Sequence, residues 1–427
     1  MVSRREFLQA LPALAALAPG FGWPEGQPVP RAPRGAGVDL GRIGALLRAR
    51  FPDLRRHFVF EYYPWYATSP WRHWDEAGRT PPLEIASSAM PLLGPYDSRS
   101  PRVIEQHARW IAESGVGAIN ISWWGPGSFE DEAVPLVMDV MRDYDIHVTF
   151  HIEPYRRDRV ETLADDLMYL IRRYGDRRRW DCFLLLENAD GRVGPVFKLF
   201  ATILPEQVTD CLGVTHRVES HVPDAEWRRP LARVRRDLAG DFDHVTILAD
   251  SGDAGRTRAA GFDGMAIYDP YVRPADWPEL ARAFTAEALL FSFNTNAGFD
   301  AVEPRTPPPD DPCFRPRPFE PAARIDWSRD ESVELAHRLS AARIRESFET
   351  TLRLQADRRL SNGGRGFLLV YINSFNEWRE GTAFEPMRDR ARLDARERAL
   401  YHNPVRGDYR LRLLSSLMRE VLEGEGD

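Results

Sequence analysis

Short apolar runs alternate with amphipathic stretches from about residue 40 onward, and this alternation restricts the fold more than any other feature. Near-continuous apolar runs are typical of parallel strands that helices cover. Nine runs predict strands, at residues 57–61, 117–122, 146–152, 182–186, 195–200, 244–249, 264–268, 288–293 and 366–372. Helix-like stretches between them include 102–114, 159–174, 226–238 and 331–354. The pattern predicts one α/β domain, a (β/α)8 TIM-type barrel with long loops at the carboxyl-terminal face of its strands.

Nine strands are one more than an eight-stranded barrel needs. The runs at 182–186 and 195–200 predict a local hairpin around Ala189-Asp-Gly191, with only the second arm in the barrel. The helix-like stretch 408–423 would close the outer layer. An open doubly wound sheet is the alternative, and the absence of a Gly-rich phosphate loop after any early strand weighs against it.

The first residues predict a targeting signal rather than part of the fold. The segment Ser3-Arg-Arg-Glu-Phe-Leu8 fits the twin-arginine pattern, and a short apolar run to residue 18 follows it. We therefore expect a signal peptide over residues 1–18, a Pro- and Gly-rich disordered tether over 19–40 and the catalytic domain over 41–427. Such a signal predicts a bacterial protein that is periplasmic or secreted, with no integral membrane segment in its mature chain.

The composition restricts the classes of partner. The net charge of −7 gives no reason to expect nucleic acid or an anionic membrane as a ligand. Lys198 is the single lysine, so nearly all basic residues are arginine. The three cysteines, Cys182, Cys211 and Cys313, allow at most one disulfide and lack the spacing of a metal site. We expect a monomer that needs no cofactor.

Polar and aromatic residues follow five of the predicted strands. The clusters are Glu61-Tyr-Tyr-Pro-Trp-Tyr66, Ser122-Trp-Trp-Gly125, His151-Ile-Glu-Pro-Tyr155, Tyr268-Asp-Pro-Tyr271 and Asn376-Glu-Trp-Arg-Glu380. Tryptophan and tyrosine also occur at the edges of ordinary cores. Because the carboxyl ends of barrel strands converge on one cleft, five such clusters predict a shared binding site, and aromatic faces suit sugar rings.

Two carboxylates in the last cluster, Glu377 and Glu380, lie three residues apart after an apolar run. Acids held this close titrate as a coupled pair, so one can stay ionised while its neighbour keeps a proton. Acid/base chemistry on a glycosidic bond needs that division of roles. The alternative is a loop with two solvated acids.

Glu153 is a third candidate acid, because Pro154 disfavours helix there and keeps the chain extended at a strand end. Its carboxyl either contacts a substrate or holds a neighbouring loop. His151 is either a substrate contact or a core histidine. The H-x-x-x-H match from His147 to His151 falls in a predicted strand, which separates the two rings too widely to share a metal ion, and no G-x-S-x-G pattern supports a serine nucleophile.

At these clusters the sequence resembles glycoside hydrolase family 99, the endo-α-1,2-mannosidase and endo-α-1,2-mannanase family. The resemblance runs from about residue 57 to about residue 390. It rests on Tyr62-Tyr-Pro-Trp-Tyr66, Ser122-Trp-Trp-Gly-Pro126, His151-Ile-Glu-Pro-Tyr155 and Asn373-Ser-Phe-Asn-Glu-Trp-Arg-Glu-Gly-Thr382. The last motif is the most specific, because it is close to the family signature S-F-N-E-W-H-E-G-T.

The resemblance implies a barrel that cleaves inside an α-mannoside chain with retention of configuration. By position in the signature, Glu377 would act as base on the sugar 2-hydroxyl, which then attacks the anomeric carbon to give a 1,2-anhydro sugar. Glu380 would act as acid on the leaving oxygen and later as base on water. The substrate is expected to be an oligo- or polysaccharide, and the predicted substrate-binding residues are Glu153, Tyr62, Tyr63, Trp124, His151, Tyr268, Asn376 and Trp378.

The sequence departs from the family pattern between the two acids, where Arg379 replaces the signature His. A permanent positive charge there would favour the ionised forms of both acids, unless Arg379 points away and pairs with another acid. The sequence Ala383-Phe-Glu-Pro386 also stands where the family usually has Gln-Ile-Glu-Pro.

Three questions stay open at this level. The Pro-rich stretch 294–330 is either a lid or substrate wall at the catalytic face, or a plain insertion. The chain could be a carbohydrate-binding relative without turnover. It could also be a glycosidase that cleaves another α-linked glycan by ordinary double displacement.

Overall fold

The computed structural model describes residues 38–175, 181–304, 313–314, 317–322 and 325–424. The predicted signal peptide (1–18) lies outside these residues, as does the predicted tether (19–40) except for its last three residues. Helix α1 (Leu40–Arg48) packs against the last helix, α11 (Tyr409–Glu423). Gly44 lies at this contact, where a Cβ would come within 2.3 Å of the carbonyl oxygen of Val421. The first helix is therefore part of the folded domain.

Nine strands form the continuous order of the central sheet, to which Leu185–Glu187 adds an antiparallel tenth. They are β1 (Phe58–Tyr62), β2 (Ala118–Trp123), β3 (His147–Ile152), β4 (Val193–Leu199), β5 (Thr246–Ala249), β6 (Gly264–Ala266), β7 (Leu290–Ser292), β8 (Asn294–Asn296) and β9 (Val370–Asn373). Their order is β7-β6-β5-β4-β3-β2-β1-β9-β8, and every neighbouring pair is parallel. The two ends of this order, β7 and β8, are separated in the chain by Phe293 alone. The sheet therefore curls into a nearly closed barrel, and the predicted (β/α)8 fold is confirmed.

Helices follow the strands and form the outer layer. Between α1 and α11 they are α2 (Pro101–Ser114), α3 (Phe129–Arg142), α4 (Arg159–Leu170), α5 (Arg228–Leu238), α6 (Ala254–Ala260), α7 (Trp277–Ala286), α8 (Asp330–Ala356), α9 (Ser361–Arg365) and α10 (Ala395–Leu400). Proline at the first position starts α2, and Ser128 caps α3 by accepting the N–H of Asp131. The helices of the described chain thus cover the outward apolar side chains of the strands.

The predicted hairpin is confirmed, because Leu185–Glu187 pairs antiparallel with β4. Its first arm also reaches the barrel wall, since the N–H of Leu184 donates to the carbonyl of Val148 at 2.8 Å. The predicted strand at 288–293 is instead β7 followed by a break, and β8 extends into the segment predicted as a loop. Apolar patterning missed β8 because its side chains are polar, and its two asparagines are hydrogen-bonded inside the protein. The Asn294 amide, for example, donates to the carbonyls of Ile267 and Tyr268.

Side chains alternate along the strands and sort into two layers inside the barrel. In β1, Phe58, Phe60 and Tyr62 face the helices, whereas Val59 and Glu61 face the interior. The lower interior layer is apolar and includes Val59, Ala118, Val196, Leu248, Ala266 and Leu369. The layer above it, toward the carboxyl ends of the strands, is polar and consists of Glu61, Asn120, His151 and Lys198.

A disulfide between Cys211 and Cys313 joins two loops. One loop follows β4 and contains the small antiparallel ribbon of Gln207–Thr209 and Thr215–Arg217, and the other is the Pro-rich stretch after β8. Cys182 is buried and free. No helix within the described ranges is both long and apolar enough to cross a membrane.

Candidate active site

The loop after β9 carries both predicted catalytic acids, and hydrogen bonds from its own side chains hold its conformation. The Ser374 hydroxyl accepts the N–H of Glu377 at 2.8 Å and lies 2.8 Å from the Thr382 hydroxyl. The N–H of Phe375 donates to the carbonyl of Glu61 in β1 at 2.8 Å. These bonds fix the loop at the carboxyl end of the barrel, where all the strands converge.

Glu377 and Glu380 are both buried, with exposed fractions of 2% and 6%. The backbone N–H of Glu380 donates to Glu377 Oε2 at 2.7 Å. The Tyr268 hydroxyl, just beyond β6, donates to Glu380 Oε2 at 2.6 Å. The two carboxyls therefore have different neighbours, a main-chain amide for one and a phenol for the other. Unlike surroundings are what allow two adjacent acids to take unlike proton roles.

Arg379 pairs with another acid, which is the second of the two alternatives that the sequence left open. Its Nη1 lies 3.0 Å from Glu76 Oε2, in the loop after β1. The other oxygen of Glu76 lies 2.8 Å from Nδ1 of His73, whose ring stacks on Trp65 with ring centroids 4.5 Å apart. The positive charge of Arg379, which replaces the signature His, is thus compensated by a carboxylate outside the catalytic pair.

Glu153 and Trp124 are joined through Ser122 at the carboxyl ends of β2 and β3. The Ser122 hydroxyl donates to Glu153 Oε1 at 2.7 Å and accepts from Trp124 Nε1 at 3.1 Å. The other oxygen, Glu153 Oε2, is buried and has no hydrogen-bond partner among the described residues. A buried carboxylate oxygen without a partner is unfavourable unless a ligand or water supplies one. Trp124 is only half-buried, so part of its ring remains open to a ligand.

A buried charge cluster forms the floor of the site. Lys198 Nζ lies 2.6 Å from Glu61 Oε1, and Asn120 donates to Glu61 Oε2 at 2.9 Å. His151 Nδ1 lies 3.2 Å from the same Oε2 as an ion-pair contact, and neither ring nitrogen of His151 has a hydrogen-bond partner among the described residues. Burial favours the neutral form of Glu61, but Lys198 and His151 outweigh burial and lower its pKa to about 2. Glu61 is therefore ionised at neutral pH.

Tyr62, Tyr63 and Asn376, predicted as substrate contacts, lie behind the catalytic loop. Tyr62 faces the helices because side chains alternate along β1, and its hydroxyl is 3.0 Å from His107 Nδ1. The Asn376 side chain bonds in both directions to the main chain of Tyr63, accepting its N–H at 2.8 Å and donating to its carbonyl at 3.0 Å. Asn376 thereby ties the loop after β9 to the loop after β1.

Trp378 is also buried behind the loop, and it leads to a residue that sequence reasoning missed. Its indole N–H donates to Glu385 Oε2 at 3.0 Å. The Tyr96 hydroxyl donates to the same oxygen at 2.7 Å, and His107 Nε2 lies 3.3 Å from Glu385 Oε1. Glu385 belongs to the Ala383-Phe-Glu-Pro386 sequence, which gave no sign that the chain folds back there. Glu385 thus supports the catalytic loop through its hydrogen bond with Trp378.

Glu61 and Lys198 were missed as well, although two signals pointed to them. Alternation along β1 and β4 places both side chains in the barrel interior. Lys198 is also the single lysine in the sequence. Within the described part of the chain, no three His, Cys, Asp or Glu side chains are grouped as a metal site requires.

Comparisons with known proteins agree with this geometry. The sequence model of glycosyl hydrolase family 99 matches residues 54–183. The glycoprotein endo-alpha-1,2-mannosidase of Xenopus laevis is 31% identical over 368 residues, which cover 78% of this chain and 71% of that protein. The human glycoprotein endo-alpha-1,2-mannosidase-like protein is 26% identical over 358 residues, covering 76% and 67%.

A solved structure, the GH99 endo-alpha-mannosidase from Bacteroides thetaiotaomicron, shares the fold with a TM-score of 0.59 and 20% identity. The match covers 87% of this chain and 99% of that one. The chain is a glycoside hydrolase, as its barrel and buried acids indicate. Within that class it belongs to glycosyl hydrolase family 99.

Proposed function

We propose that the chain is an exported, retaining, endo-acting α-glycosidase that cleaves α-1,2-linked mannosides. The observation that carries the proposal is the buried pair of Glu377 and Glu380, whose carboxyls have unlike partners at the carboxyl end of the barrel. The names of the family relatives, endo-alpha-1,2-mannosidases, support mannose and this linkage.

The reaction takes two steps, and the two acids exchange roles between them. Glu377 first removes the proton of the sugar 2-hydroxyl, and that oxygen attacks the anomeric carbon. The glycosidic bond breaks as Glu380 gives its proton to the leaving oxygen, which leaves a 1,2-anhydro sugar. Glu380 then takes a proton from water, the water oxygen attacks the anomeric carbon, and Glu377 returns its proton to the 2-oxygen. Two inversions give net retention.

The remaining site residues orient the acids and the sugar. Tyr268 holds Glu380 through the 2.6 Å hydrogen bond. Glu153 Oε2 and His151 Nε2 are buried polar atoms that sugar hydroxyls can satisfy, and Trp124 offers a partly open ring face. We assign Tyr62, Asn376 and Trp378 to support of the loop, because their side chains bond to protein groups behind it, and Tyr63 takes part through its main chain.

The activity is tested by incubating wild type, Glu377→Gln and Glu380→Gln with a panel of α-mannans and α-glucans. Glu113→Gln, which changes an exposed carboxyl of α2, is the matched control. We expect oligosaccharide release from 1,2-linked mannan by wild type and control, and its loss in both site variants. Release from another glycan alone would refute the mannosidase assignment. Binding without release by the wild type would favour the carbohydrate-binding alternative.

The mechanism is tested with a substrate that lacks the hydroxyl at C2 of the cleaved sugar. Without that oxygen the anhydro sugar cannot form, whereas direct attack by a carboxylate needs no 2-hydroxyl. We expect no turnover of the 2-deoxy substrate, and retained configuration in the first product of the normal substrate, followed by NMR. Turnover of the 2-deoxy substrate would support ordinary double displacement.

Export is supported by two independent features. The sequence Ser3-Arg-Arg-Glu-Phe-Leu8 fits a twin-arginine signal, and the disulfide of Cys211 and Cys313 is typical of an oxidising compartment. Replacing Arg4 and Arg5 with lysine should retain the protein in the bacterial cytoplasm, as measured by cell fractionation. An unchanged distribution between cytoplasm and periplasm would contradict twin-arginine export.

A further inference from the structure

A lone lysine occupies the centre of the barrel. The sequence has 57 basic residues, and Lys198 is the only one that is not arginine. Its side chain is fully buried, in the polar layer directly beneath the catalytic residues. Every other basic position of the sequence carries arginine, so a lysine at this buried position calls for a physical reason.

The surroundings of Lys198 supply that reason. Its Nζ lies 2.6 Å from Glu61 Oε1, and it lies 5.3 Å and 4.7 Å from the ring centroids of Tyr268 and Tyr371. One anion and two aromatic faces suit a compact ammonium group. A guanidinium carries five N–H donors in a rigid plane, and two aromatic faces offer no acceptors for them.

We propose that Lys198 is a positioning residue for glycoside cleavage, which acts through Glu61 on His151 and through the ring of Tyr268 on Glu380. The proposal rests on the proposed function, because it assigns Lys198 to the same site. Lys198 itself lies one layer below the residues that meet the sugar.

The first route runs through Glu61 to His151. Lys198 neutralises Glu61 and fixes its Oε1, while its Oε2 faces His151 Nδ1 at 3.2 Å. Nδ1 is the ring nitrogen nearer that carboxylate, so a neutral ring would carry its proton there and leave Nε2 as the acceptor. Nε2 is buried without a protein partner in the described chain, and it is the atom that a sugar hydroxyl would reach.

The second route runs through Tyr268 to the acid. The ammonium lies against the Tyr268 ring, and the hydroxyl of that ring donates to Glu380 Oε2 at 2.6 Å. The cation holds the ring in place and polarises it toward stronger donation. The ionisable groups that surround this cluster are Glu61 (β1), His151 and Glu153 (β3), Asp250 (after β5), Tyr268 (after β6) and Tyr371 (β9).

The test compares Lys198→Met with the double variant Lys198→Met/Glu61→Gln. The single variant leaves a buried, unpaired carboxylate and is expected to unfold more easily. The double variant replaces an ion pair with a neutral pair of similar size, so it should fold. Arg235→Met is the matched control, because Arg235 pairs with Asp263 at 2.9 Å just before β6, at the opposite end of the barrel.

Kinetics are measured on the α-glycan that wild type cleaves fastest in the panel. In the double variant we expect a thermal midpoint near that of wild type and a kcat lower by roughly 10- to 100-fold, as displacement of a catalytic group produces. KM should change less than kcat, and the Arg235 variant should keep both constants. A stable double variant with kcat within about twofold of wild type would overturn the proposal.

A substrate-free readout separates this proposal from the proposed function. The protonated nitrogen of His151 is read by NMR of protein with ¹⁵N-labelled histidine, and the His151 signal is assigned by its loss in His151→Asn. We expect protonation at Nδ1 in wild type and loss of that preference in the double variant. An unchanged tautomer would overturn the route through Glu61. If wild type cleaves no glycan at all, the proposed function fails, whereas the tautomer measurement still decides the route through Glu61.

Discussion

Removing the Glu61 carboxylate together with its Lys198 partner should make the protein less sensitive to acid. Burial raises the pKa of Glu61, but Lys198 and His151 outweigh burial and lower it from the ordinary 4.5 to about 2. At about 1.4 kcal/mol for each pKa unit, the ionised carboxyl contributes on the order of 3 kcal/mol to the free energy of unfolding. Because the folded pKa is the lower one, this contribution is present above pH 4.5 and is lost as the pH falls through about 2.

The assay is urea unfolding at several pH values between about 5 and about 2.5. Wild type, Lys198→Met/Glu61→Gln and the exposed-site control Glu113→Gln are compared. Carboxyls remote from Lys198 titrate alike in all three proteins and cancel in the difference, whereas Asp250, whose pKa is raised by burial and lowered by Lys198, is a neighbour that does not. We expect wild type and control to lose about 2 to 3 kcal/mol more than the double variant over this range. Parallel curves for all three proteins would refute the argument that Glu61 is ionised and ion-paired in the folded state.

Three further perturbations test other parts of the structure. Tyr268→Phe removes the hydrogen bond that orients Glu380, worth about 0.5 to 1.5 kcal/mol for a neutral acid, so kcat should fall roughly 2- to 10-fold. An unchanged kcat would show that this bond does not assist the acid. Arg379→His restores the signature residue and should leave kcat within about twofold, because Arg379 is paired with Glu76; a tenfold change in the measured kcat would place its charge on the catalytic pair. Replacing Cys211 and Cys313 with serine opens a cross-link of 102 residues and should lower the free energy of unfolding by up to about 5 kcal/mol. Dithiothreitol should produce the same loss in wild type and none in the serine variant.

Much of the fold could be predicted from local patterns, because parallel barrel strands are apolar on the face that packs against helices. The helices and most strands follow from this rule. It fails at β8, where Asn294 and Asn296 are buried and bonded to carbonyls and to each other. No local pattern distinguishes such a strand from a polar loop. Its assignment depends on β9, which pairs with it from far along the chain.

The site residues also divide into those that the sequence predicts and those that only the fold shows. Glu377 and Glu380 stand out because a specific motif carries them. Tyr62 was predicted as a sugar contact from the family resemblance, although alternation along β1 turns it toward the helices when Glu61 faces inward. Applying that alternation to every strand would have found Glu61 and Lys198 and moved Tyr62 outward. Asn376 and Trp378 are different, because only the folded loops show that their polar atoms bond to Tyr63 and Glu385.

Arg379 shows why a departure from a motif has to be judged by its partner. In the sequence, a guanidinium between two catalytic acids opposes the protonated state that one of them requires. In the fold, the same group lies 3.0 Å from Glu76, whose other oxygen faces His73. The charge that Arg379 introduces in place of the signature His is thus balanced by Glu76 in the loop after β1, about 300 residues earlier in the chain. The two loops form one charge-compensated unit, so variants of Arg379 are informative only beside variants of Glu76. Glu76→Gln alone leaves Arg379 uncompensated and should reduce kcat more than Arg379→His does. The reverse order would mean that the ion pair does not protect the acids.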